Sequence, residues 1–329
     1  MRYASLGNTG VEISKISLGT GFFGGAIPES ECARILDKAL EVGINVIDTA
    51  EKYLRPTPGA SETTLGRILR GRRDQVFLAT KVDPTGDREG HPPGRGLSRA
   101  TVISAVEASL RRLQTDCVDL VYAHAPDPDT PLEETLAAFD SLIDAGKVRH
   151  AGLSNHLAPL IADALSAAER LDLRPVAATQ DLYNLMERRN EAELYPLCRR
   201  HGLGAFAYAP LAGGLLTGKY TLDMAGGHSV PSSYRAGYFG RVTDESEQAS
   251  SIPKVTRGAI SCAARIAAWS MERGYDPAQT ALAWVLGNPD VTSAIIGVTT
   301  LDQLERNSTG FDMVLSETER TELSNIAAT

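Results

Sequence analysis

Seven polar or flexible residues each follow directly after a short apolar run in this sequence. If those runs are strands of one closed parallel barrel, their carboxyl ends meet at a single mouth, where such barrels carry their catalytic groups. A carboxylate, an amine, an imidazole, amides and a phenol would then surround one pocket and could move protons on a bound small molecule. The seven residues are Asp48, Lys81, His124, Asn155, Gln180, Tyr208 and Gly297.

Each of these residues, taken singly, also has an ordinary structural explanation. A polar residue at a strand end is more often a cap or a hydrogen-bond partner than a catalytic group. The convergence of seven separate segments on one mouth is what favours a functional site.

Helix and strand patterns alternate strictly along the chain. Apolar residues at helical spacing predict helices at 30–43, 102–113, 130–146, 157–170, 190–201 and 276–287. Short apolar or β-branched runs predict strands at 14–18, 45–47, 75–80, 118–123, 148–153, 176–179, 203–207 and 292–296. This alternation predicts an α/β fold, a (β/α)8 TIM barrel with extra helices.

Smaller sequence signals complete this prediction. Residues 1–13 are expected to form an N-terminal β-hairpin that turns at Asn8-Thr9-Gly10. Thr130-Pro131-Leu132-Glu133 predicts a capping box with proline at the first helical position, and Asp276-Pro277 opens another helix. No linker divides the chain, so we expect one domain over 1–329, in which 221–253 is a polar excursion from one barrel loop.

Composition excludes several classes of partner. The net charge of −8 and the pI of about 5.4 argue against a nucleic-acid surface, and no 18-residue apolar run could span a bilayer. The cysteines lie far apart with no C-x-x-C pair, so we expect no metal site. Residues 1–6 lack the features of a secretory signal, which predicts a cytoplasmic protein. We expect a small-molecule partner, and the sequence leaves open whether the protein is a monomer or a homo-oligomer.

One glycine motif points to a different fold. Gly19-Thr20-Gly21-Phe22-Phe23-Gly24 matches the G-x-G-x-x-G pattern of dinucleotide-binding Rossmann units. In those units the glycines open the helix directly, whereas here 25–28 intervenes before the helix begins near Ser30. We therefore interpret the glycines as part of a barrel loop.

Several motifs together resemble those of the aldo-keto reductases. The catalytic signature is carried by Asp48-Thr49-Ala50-Glu51-Lys52-Tyr53, Ala79-Thr80-Lys81 and Tyr122-Ala123-His124. The likeness continues through 152–155, 180–184, 210–220 and 296–307, and so covers nearly the whole chain. Within the family the chain is most similar to the aflatoxin-aldehyde (succinic semialdehyde) reductase branch. Potassium-channel β-subunits and bacterial deoxysugar-nucleotide reductases resemble it more distantly.

The resemblance implies a carbonyl reductase with four catalytic residues. Tyr53 would be the general acid that protonates the carbonyl oxygen as hydride reaches the carbon. Lys81 would lower the pKa of Tyr53, and Asp48 would pair with Lys81 and hold it. His124 would orient the substrate oxygen by a hydrogen bond, which requires a neutral imidazole.

The resemblance also implies the cofactor NADPH, with NADH less expected. The nicotinamide carboxamide would contact Ser154, Asn155 and Gln180, and backbone amides of a glycine-rich loop would hold the pyrophosphate. Many family members have a basic residue where Thr299 stands, so Arg306 could supply the missing charge beside the 2′-phosphate. The cofactor residues expected in this way are Thr20, Gly21, Asp48, Ser154, Asn155, Gln180, Tyr208, Pro210, Leu211, Gly213, Gly214, Lys219, Arg235, Gly297, Thr299, Gln303, Arg306 and Asn307.

The substrate is the least determined part of this prediction. An apolar pocket is expected from Phe22, Phe23, Leu54 and Ala125. The loops 83–97 and 221–253 that would complete it have no readable secondary structure. The chain after Asn307 lacks the arginine-bearing extension expected from the semialdehyde-reductase resemblance, so a carboxylated substrate is not implied.

Two other classes of function remain open. A barrel lyase would use Lys81 as a Schiff-base amine and would need no nicotinamide. A regulatory subunit of the same fold would bind the nucleotide with little turnover. The intact set of Asp48, Tyr53, Lys81 and His124 argues against both alternatives.

Overall fold

The structure is a computed structural model that describes residues 1–25, 27–53, 57–85, 96–219 and 256–328. Predicted residues Leu54 and Arg235, and the excursion 221–253, lie outside these ranges. The interpretation of 1–329 as one domain stays a prediction.

Eight parallel strands close into a barrel, as the sequence predicts. Around the barrel each strand pairs with the next one along the chain, and the last strand pairs with the first to complete the closure. Each predicted strand is present with its bounds shifted by a few residues at most. The strands are β3 Ile16–Gly19, β4 Val46–Asp48, β5 Phe77–Val82, β6 Val118–Ala123, β7 Val148–Ser154, β8 Ala178–Leu182, β9 Gly204–Tyr208 and β10 Ser293–Gly297.

The predicted N-terminal hairpin is also confirmed. Strands β1 Tyr3–Ser5 and β2 Glu12–Ser14 pair antiparallel. The hairpin lies at the amino end of the barrel, because the amide of Asn8 donates to the carbonyl of Gly202, just before β9 begins. It leaves the carboxyl ends of the strands free to form a site.

Helices pack around the barrel on its outside. Ten α-helices occur among the described residues: α1 Glu29–Glu41, α2 Ala60–Ile68, α3 Arg99–Leu113, α4 Leu132–Asp144, α5 Ala158–Arg170, α6 Leu194–His201, α7 Arg257–Glu272, α8 Pro277–Leu286, α9 Leu301–Ser308 and α10 Glu317–Ala328. Helices α1, α3, α4, α5, α6 and α8 match predicted ones. Gly19 ends β3 and residues 20–24 form a loop before α1, so the interpretation of that glycine motif as a barrel loop is confirmed.

One local prediction about a helix is wrong, and helix α2 was missed. The residue that caps α4 is Pro131, with no side-chain hydrogen bond, so the capping box expected from Thr130 is not formed. Helix α2 was not predicted, because its buried face includes the polar residues Ser61, Glu62 and Thr64 and therefore shows no apolar stripe. At α8, by contrast, the Asp276 side chain accepts from the amides of Ala278 and Gln279, as expected for a helix start.

The core has two layers, and the inner one explains how the site is built. Inside the barrel an apolar cluster includes Val46, Ala79, Tyr122, Ala178, Phe206 and Ile295, together with Leu6 of the hairpin. Side chains that point inward recur every second residue along a strand. Two residues beyond six of these inner positions lie Asp48, Lys81, His124, Gln180, Tyr208 and Gly297. The same alternation that fills the barrel therefore aims these residues into its mouth.

Among the described residues, no helix is both long and apolar enough to cross a membrane. Within the same residues there is no group of three or more His, Cys, Asp and Glu side chains that could hold a metal ion.

Candidate active site

Lys81 lies at the centre of a buried hydrogen-bond cluster with Asp48 and Tyr53. Its ammonium Nζ is 2.5 Å from Asp48 Oδ1, 2.9 Å from the Tyr53 hydroxyl and 2.9 Å from the carbonyl oxygen of Thr49. The Tyr53 hydroxyl donates to the same Asp48 oxygen over 3.2 Å. The Lys81 and Asp48 side chains are 1% and 2% exposed, so all three ammonium protons must be satisfied by protein groups.

The strands position these three residues directly. Asp48 ends β4 and pairs in register with Ala79 of β5, two residues before Lys81. Tyr53 lies in the turn after β4, where its phenol reaches back over the Lys81 ammonium. The carboxylate and the phenol of one turn thus meet an ammonium that lies 28 residues beyond Tyr53 in the chain.

The electrostatics of Tyr53 differ from the expectation. Burial, and then the charge and hydrogen bond of Asp48, raise the pKa of the Tyr53 phenol well above its ordinary value. In the free protein the pKa of Tyr53 is therefore shifted in the direction opposite to the one that the resemblance implies. Burial lowers the pKa of the Lys81 ammonium, while the Asp48 carboxylate acts in the opposite direction. Tyr53 accordingly stays protonated and keeps the proton that a general acid needs.

His124 is held as a neutral imidazole. Burial, followed by the charge of Lys81, lowers its pKa to about 4, although Asp83 opposes the shift. This agrees with the expectation of a neutral ring at physiological pH. The Tyr53 and His124 rings meet edge to face, with their centroids 6.1 Å apart. One aromatic proton donor and one imidazole therefore stand side by side in the mouth of the barrel.

Four of the expected cofactor residues form a network beside this cluster, connected by a hydrogen bond from Asn155 Nδ2 to Ser154 Oγ over 3.1 Å. Gln180 Nε2 donates to Asp48 Oδ2 over 2.8 Å, and Ser154 Oγ donates to the Gln180 carbonyl oxygen over 2.8 Å. Asn155 Nδ2 donates to the His124 carbonyl oxygen over 2.8 Å, and Asn155 Oδ1 accepts from the Tyr208 hydroxyl over 2.8 Å. Asn155 has φ 61°, an unusual conformation for a non-glycine residue. The amides are thus fixed in orientation next to the catalytic candidates.

The loop after β9 forms a strained backbone turn. Positive φ angles occur at Ala209 (51°), Ala212 (49°), Gly213 (62°) and Gly214 (95°), and alanine rarely adopts this conformation. A Cβ at Gly214 would lie 2.8 Å from Nζ of Lys219, so a side chain there would crowd the lysine. Such runs can turn backbone amides toward an anion, and the nearby Lys219 adds positive charge.

The residues expected at the adenosine end lie in α9 and the turn before it. The Thr299 amide and hydroxyl both donate to Gln303 Oε1, over 2.9 and 3.2 Å. Arg306 instead pairs with Asp276 Oδ2, with Nε at 2.8 Å. Asn307 is buried. The charge that Arg306 was expected to offer a phosphate is therefore already engaged.

Three further predicted residues, Thr20, Gly21 and Phe22, belong to the glycine motif. Thr20 is buried and hydrogen-bonds the Asp48 carbonyl oxygen over 3.0 Å, which ties the end of β3 to the end of β4. Gly21 faces the Tyr53 ring, since a Cβ there would come within 3.9 Å of it. Phe22 is half-buried and packs against Gly297.

The expectation for Phe23 needs correction. Its side chain is fully buried in the core cluster between the barrel and the helices, so it does not line a substrate pocket. Ala125 is half-buried directly after His124. The difference between Phe22 and Phe23 is one of side-chain direction, which the sequence of two consecutive phenylalanines does not reveal.

Sequence reasoning missed two charged residues beside His124. Asp83 Oδ2 lies 3.5 Å from His124 Nδ1, and Asp83 Oδ1 accepts from Lys52 Nζ over 3.0 Å. The signal available in the sequence was that Asp83 comes two residues after Lys81, which places both on the same face of the strand and its continuation.

Comparisons with known proteins agree with the geometry. The sequence profile of the Aldo/keto reductase family matches residues 15–328. A "Probable voltage-gated potassium channel subunit beta" of Arabidopsis thaliana is 34% identical, over 95% of this chain and 92% of its own length. The "Uncharacterized oxidoreductase YrpG" of Bacillus subtilis is 37% identical, over 92% of this chain and 89% of its own length. "Protein tas" of Escherichia coli is 34% identical, over 96% of this chain and 95% of its own length.

These relatives establish the family of the protein but not its branch within the family. None of the three names specifies an aflatoxin-aldehyde or succinic semialdehyde reductase, so that assignment stays a prediction. The closed barrel, the cluster at its mouth and the profile match over nearly the whole chain lead to the same conclusion. The protein belongs to the aldo/keto reductase family and is an NAD(P)H-dependent oxidoreductase.

Proposed function

We propose that this protein is an NADPH-dependent carbonyl reductase that converts an aldehyde or ketone to an alcohol, with Tyr53 as the general acid. The observation that supports the proposal best is the Tyr53 hydroxyl, 2.9 Å from the Lys81 ammonium and 3.2 Å from the Asp48 carboxylate. A phenol placed in this way holds its proton at rest and has a cation beside the oxygen on which negative charge develops as the proton leaves.

The raised pKa of Tyr53 changes the role we assign to Lys81. The ammonium does not need to ionise the tyrosine in the free protein, where Asp48 and burial keep the proton on the phenol. Its part is to stabilise the phenolate that forms when Tyr53 gives its proton to the substrate oxygen. Asp48 and the Thr49 carbonyl oxygen hold the ammonium in place for that step.

The residues of the mouth fit a dinucleotide. NADPH, when bound, supplies the hydride that reduces the carbonyl carbon. The fixed amides of Asn155 and Gln180 suit the carboxamide of a nicotinamide ring, and the strained turn of 209–214 with Lys219 suits a pyrophosphate. Thr299, Gln303 and Asn307 suit the adenosine end. Because Arg306 is paired with Asp276, we propose only a modest preference for NADPH over NADH.

The oxidation of NADPH in the presence of carbonyl compounds tests this function. The purified protein is mixed with NADPH and a panel of aldehydes, diketones and keto-sugars, and the loss of NADPH absorbance is followed. Turnover that depends on the carbonyl compound is expected. Tight NADPH binding without turnover on any compound would instead favour a regulatory subunit, which is the kind of protein that the name of the Arabidopsis thaliana relative describes.

A further inference from the structure

Helix α2 carries a fully buried carboxylate behind the strand that bears Lys81. Glu62 is 0% exposed. Its Oε2 accepts from Arg112 Nε of α3 over 2.6 Å, and its Oε1 accepts from the Thr80 hydroxyl over 2.6 Å. Thr80 comes directly before Lys81 in β5, so its side chain points outward to α2 while Lys81 points into the barrel. The carboxylate is therefore fastened to the residue next to the catalytic lysine.

Two glycines make room for the Arg112 side chain beside Glu62. A Cβ at Gly66 of α2 would lie 2.4 Å from the Arg112 carbonyl oxygen, and a Cβ at Gly59 would lie 2.6 Å from Arg112 Cδ. A side chain at Gly66 would therefore push α2 and α3 apart. Arg112 Nη2 also donates to Ser109 Oγ over 3.1 Å. The close approach of the two helices thus gives a counter-charge to a carboxylate that would otherwise be buried alone.

The residue before Glu62 is tied to the neighbouring strand ends. Ser61 Oγ donates to the Thr20 carbonyl oxygen over 2.7 Å and lies 3.0 Å from the Thr49 hydroxyl. Thr49 in turn offers its carbonyl oxygen to the Lys81 ammonium. The three side chains of Thr20, Thr49 and Ser61 are fully buried. The start of α2 therefore supports the ends of both β4 and β5, which carry Asp48 and Lys81.

The charge of Glu62 also acts on Lys81. Burial lowers the pKa of the Lys81 ammonium, while Asp48 and then Glu62 act in the opposite direction. The charge matters because only the protonated amine can stabilise a phenolate beside it. The titratable and charged groups packed around Lys81 and Glu62 include Asp48, Tyr53, Arg112 and His124.

We propose that Glu62, paired with Arg112, is a positioning residue that holds the end of β5 and keeps the ammonium of Lys81 charged. It does so from the outer side of the strand, where its complete burial puts it out of reach of substrate and cofactor. This inference rests on the proposed function, because the charge of Lys81 serves there the step in which Tyr53 gives up its proton.

Carbon-13 NMR of lysine-labelled protein tests the proposal without any need for turnover. The Cε signal of Lys81 is assigned from its loss in Lys81→Arg, and its titration midpoint is measured at alkaline pH. Because the Glu62 carboxylate favours the charged amine, Glu62→Gln should lower this midpoint by on the order of one pH unit, a usual effect of one nearby charge on a buried group. Glu62→Asp keeps the negative charge and should have a midpoint close to that of the wild type.

The matched control is Asp119, a buried carboxylate at the opposite, amino end of the same strand. Its Oδ2 accepts from the Leu78 amide of β5 over 2.8 Å and from Arg73 Nη2 over 2.6 Å. Asp119→Asn therefore breaks an equivalent pair on β5, and it should leave the Lys81 midpoint unchanged. Equal midpoints in folded Glu62→Gln and in wild type would overturn the proposal.

A second variant covers the case in which Glu62→Gln does not fold because Arg112 loses its counter-charge. Glu62→Gln combined with Arg112→Gln replaces both charges by amides that can bond to each other. The Lys81 midpoint should still fall, though by less, because the carboxylate bridges Thr80 and the guanidinium and so lies on the Lys81 side of the pair. An unchanged midpoint in this double variant would also refute the role of Glu62.

The pH dependence of kcat tests the consequence for the reaction. With a carbonyl substrate of the wild-type enzyme, the alkaline limb in Glu62→Gln should move to lower pH together with the Lys81 midpoint. At the pH at which half of the wild-type Lys81 is charged, a shift of about one unit leaves ~9% charged, so kcat should be ~5-fold lower. A loss by the same factor at every pH would indicate a structural role alone and would contradict the proposal. If the wild type turned over no carbonyl compound, the proposed function would be in question while the NMR result still decided the role of Glu62.

Discussion

The buried carboxyl group of Asp181 should make the stability of this protein depend on pH. Asp181 follows Gln180 in β8 and therefore points away from the barrel interior, toward α6. Its side chain is buried, and Oδ2 has no hydrogen-bond partner among the described residues. Burial raises its pKa to about 7, and the Thr179 hydroxyl and the Asn155 amide only partly oppose this.

The size of the effect follows from the pKa difference between the folded and unfolded states. An aspartate in the unfolded chain has a pKa of about 3.9, so folding raises this pKa by about three units, equivalent to about 4 kcal/mol. The cost of ionising Asp181 in the folded state is absent below pH ~4, grows as the pH rises from ~4 to ~7, and is constant above that range. A neutral amide at this position avoids the cost at every pH.

We therefore expect Asp181→Asn to be more stable than wild type at alkaline pH, with an advantage that shrinks as the pH falls. Between pH 8 and pH 5 the difference in the free energy of unfolding should decrease by about 2 to 3 kcal/mol. Urea unfolding at several pH values from 5 to 8 measures this difference. If the substitution also removed contacts in the folded protein, the free energy of unfolding of Asp181→Asn would fall by the same amount at every pH. The slope of its difference from wild type against pH would then be unchanged.

An exposed carboxylate provides the control for this prediction. Asp163 lies on the solvent side of α5, and Asp163→Asn should change the free energy of unfolding by the same small amount at each pH. A pH-independent difference between Asp181→Asn and wild type would refute the reasoning, because it would show that the folded protein ionises Asp181 as easily as the unfolded chain. NADPH titration of the variant checks that the neighbouring Asn155 keeps its conformation.

Three predictions concern the active site itself. Tyr53→Phe should retain NADPH binding and lose at least ~100-fold in turnover, because it removes the general acid. Tyr275→Phe, which removes a phenol outside the site, should keep normal rates. A Tyr53→Phe enzyme with near-normal turnover would contradict the assigned role. Lys81→Met should lower the stability by about 3 kcal/mol by leaving Asp48 without its cation, and should slow single-turnover hydride transfer in the folded fraction. Combined with Tyr53→Phe it should be little slower than either single variant, and fully multiplicative losses would show that the two residues act independently. NADPH should bind more tightly than NADH in fluorescence titrations, and equal dissociation constants would count against the assignment at 299–307.

Much of the fold could be predicted because it depends on local patterns. The alternation of apolar runs and helical stripes is sufficient for eight strands, and strand ends are where a parallel barrel exposes its reactive groups. The hairpin and the start of α8 at Asp276 were readable for the same reason, since turn and cap residues act within a few positions. Helix α2 was not readable, because tertiary contacts bury its polar residues.

The same distinction between local sequence patterns and tertiary contacts applies to the candidate site. The sequence by itself determined which residues could act, because Asp48, Lys81 and His124 each follow an inward-facing strand position and Tyr53 stands in a recognisable motif. Distances and desolvation were decided only by the tertiary structure. Burial and Asp48 raise the pKa of Tyr53 where the sequence suggested the opposite, because the balance between a cation and an anion at 2.9 and 3.2 Å depends on geometry.

The proximity of Asp83 to His124 and the burial of Phe23 also had to come from the structure. Both depend on the direction of a side chain relative to neighbours that are distant in sequence. Asp83 meets His124 only because β5 and β6 lie side by side in the barrel, and Phe23 leaves the pocket only because its loop turns it into the outer core. A one-dimensional pattern specifies which face of a strand a residue occupies, whereas contacts between loops are fixed only when the barrel closes.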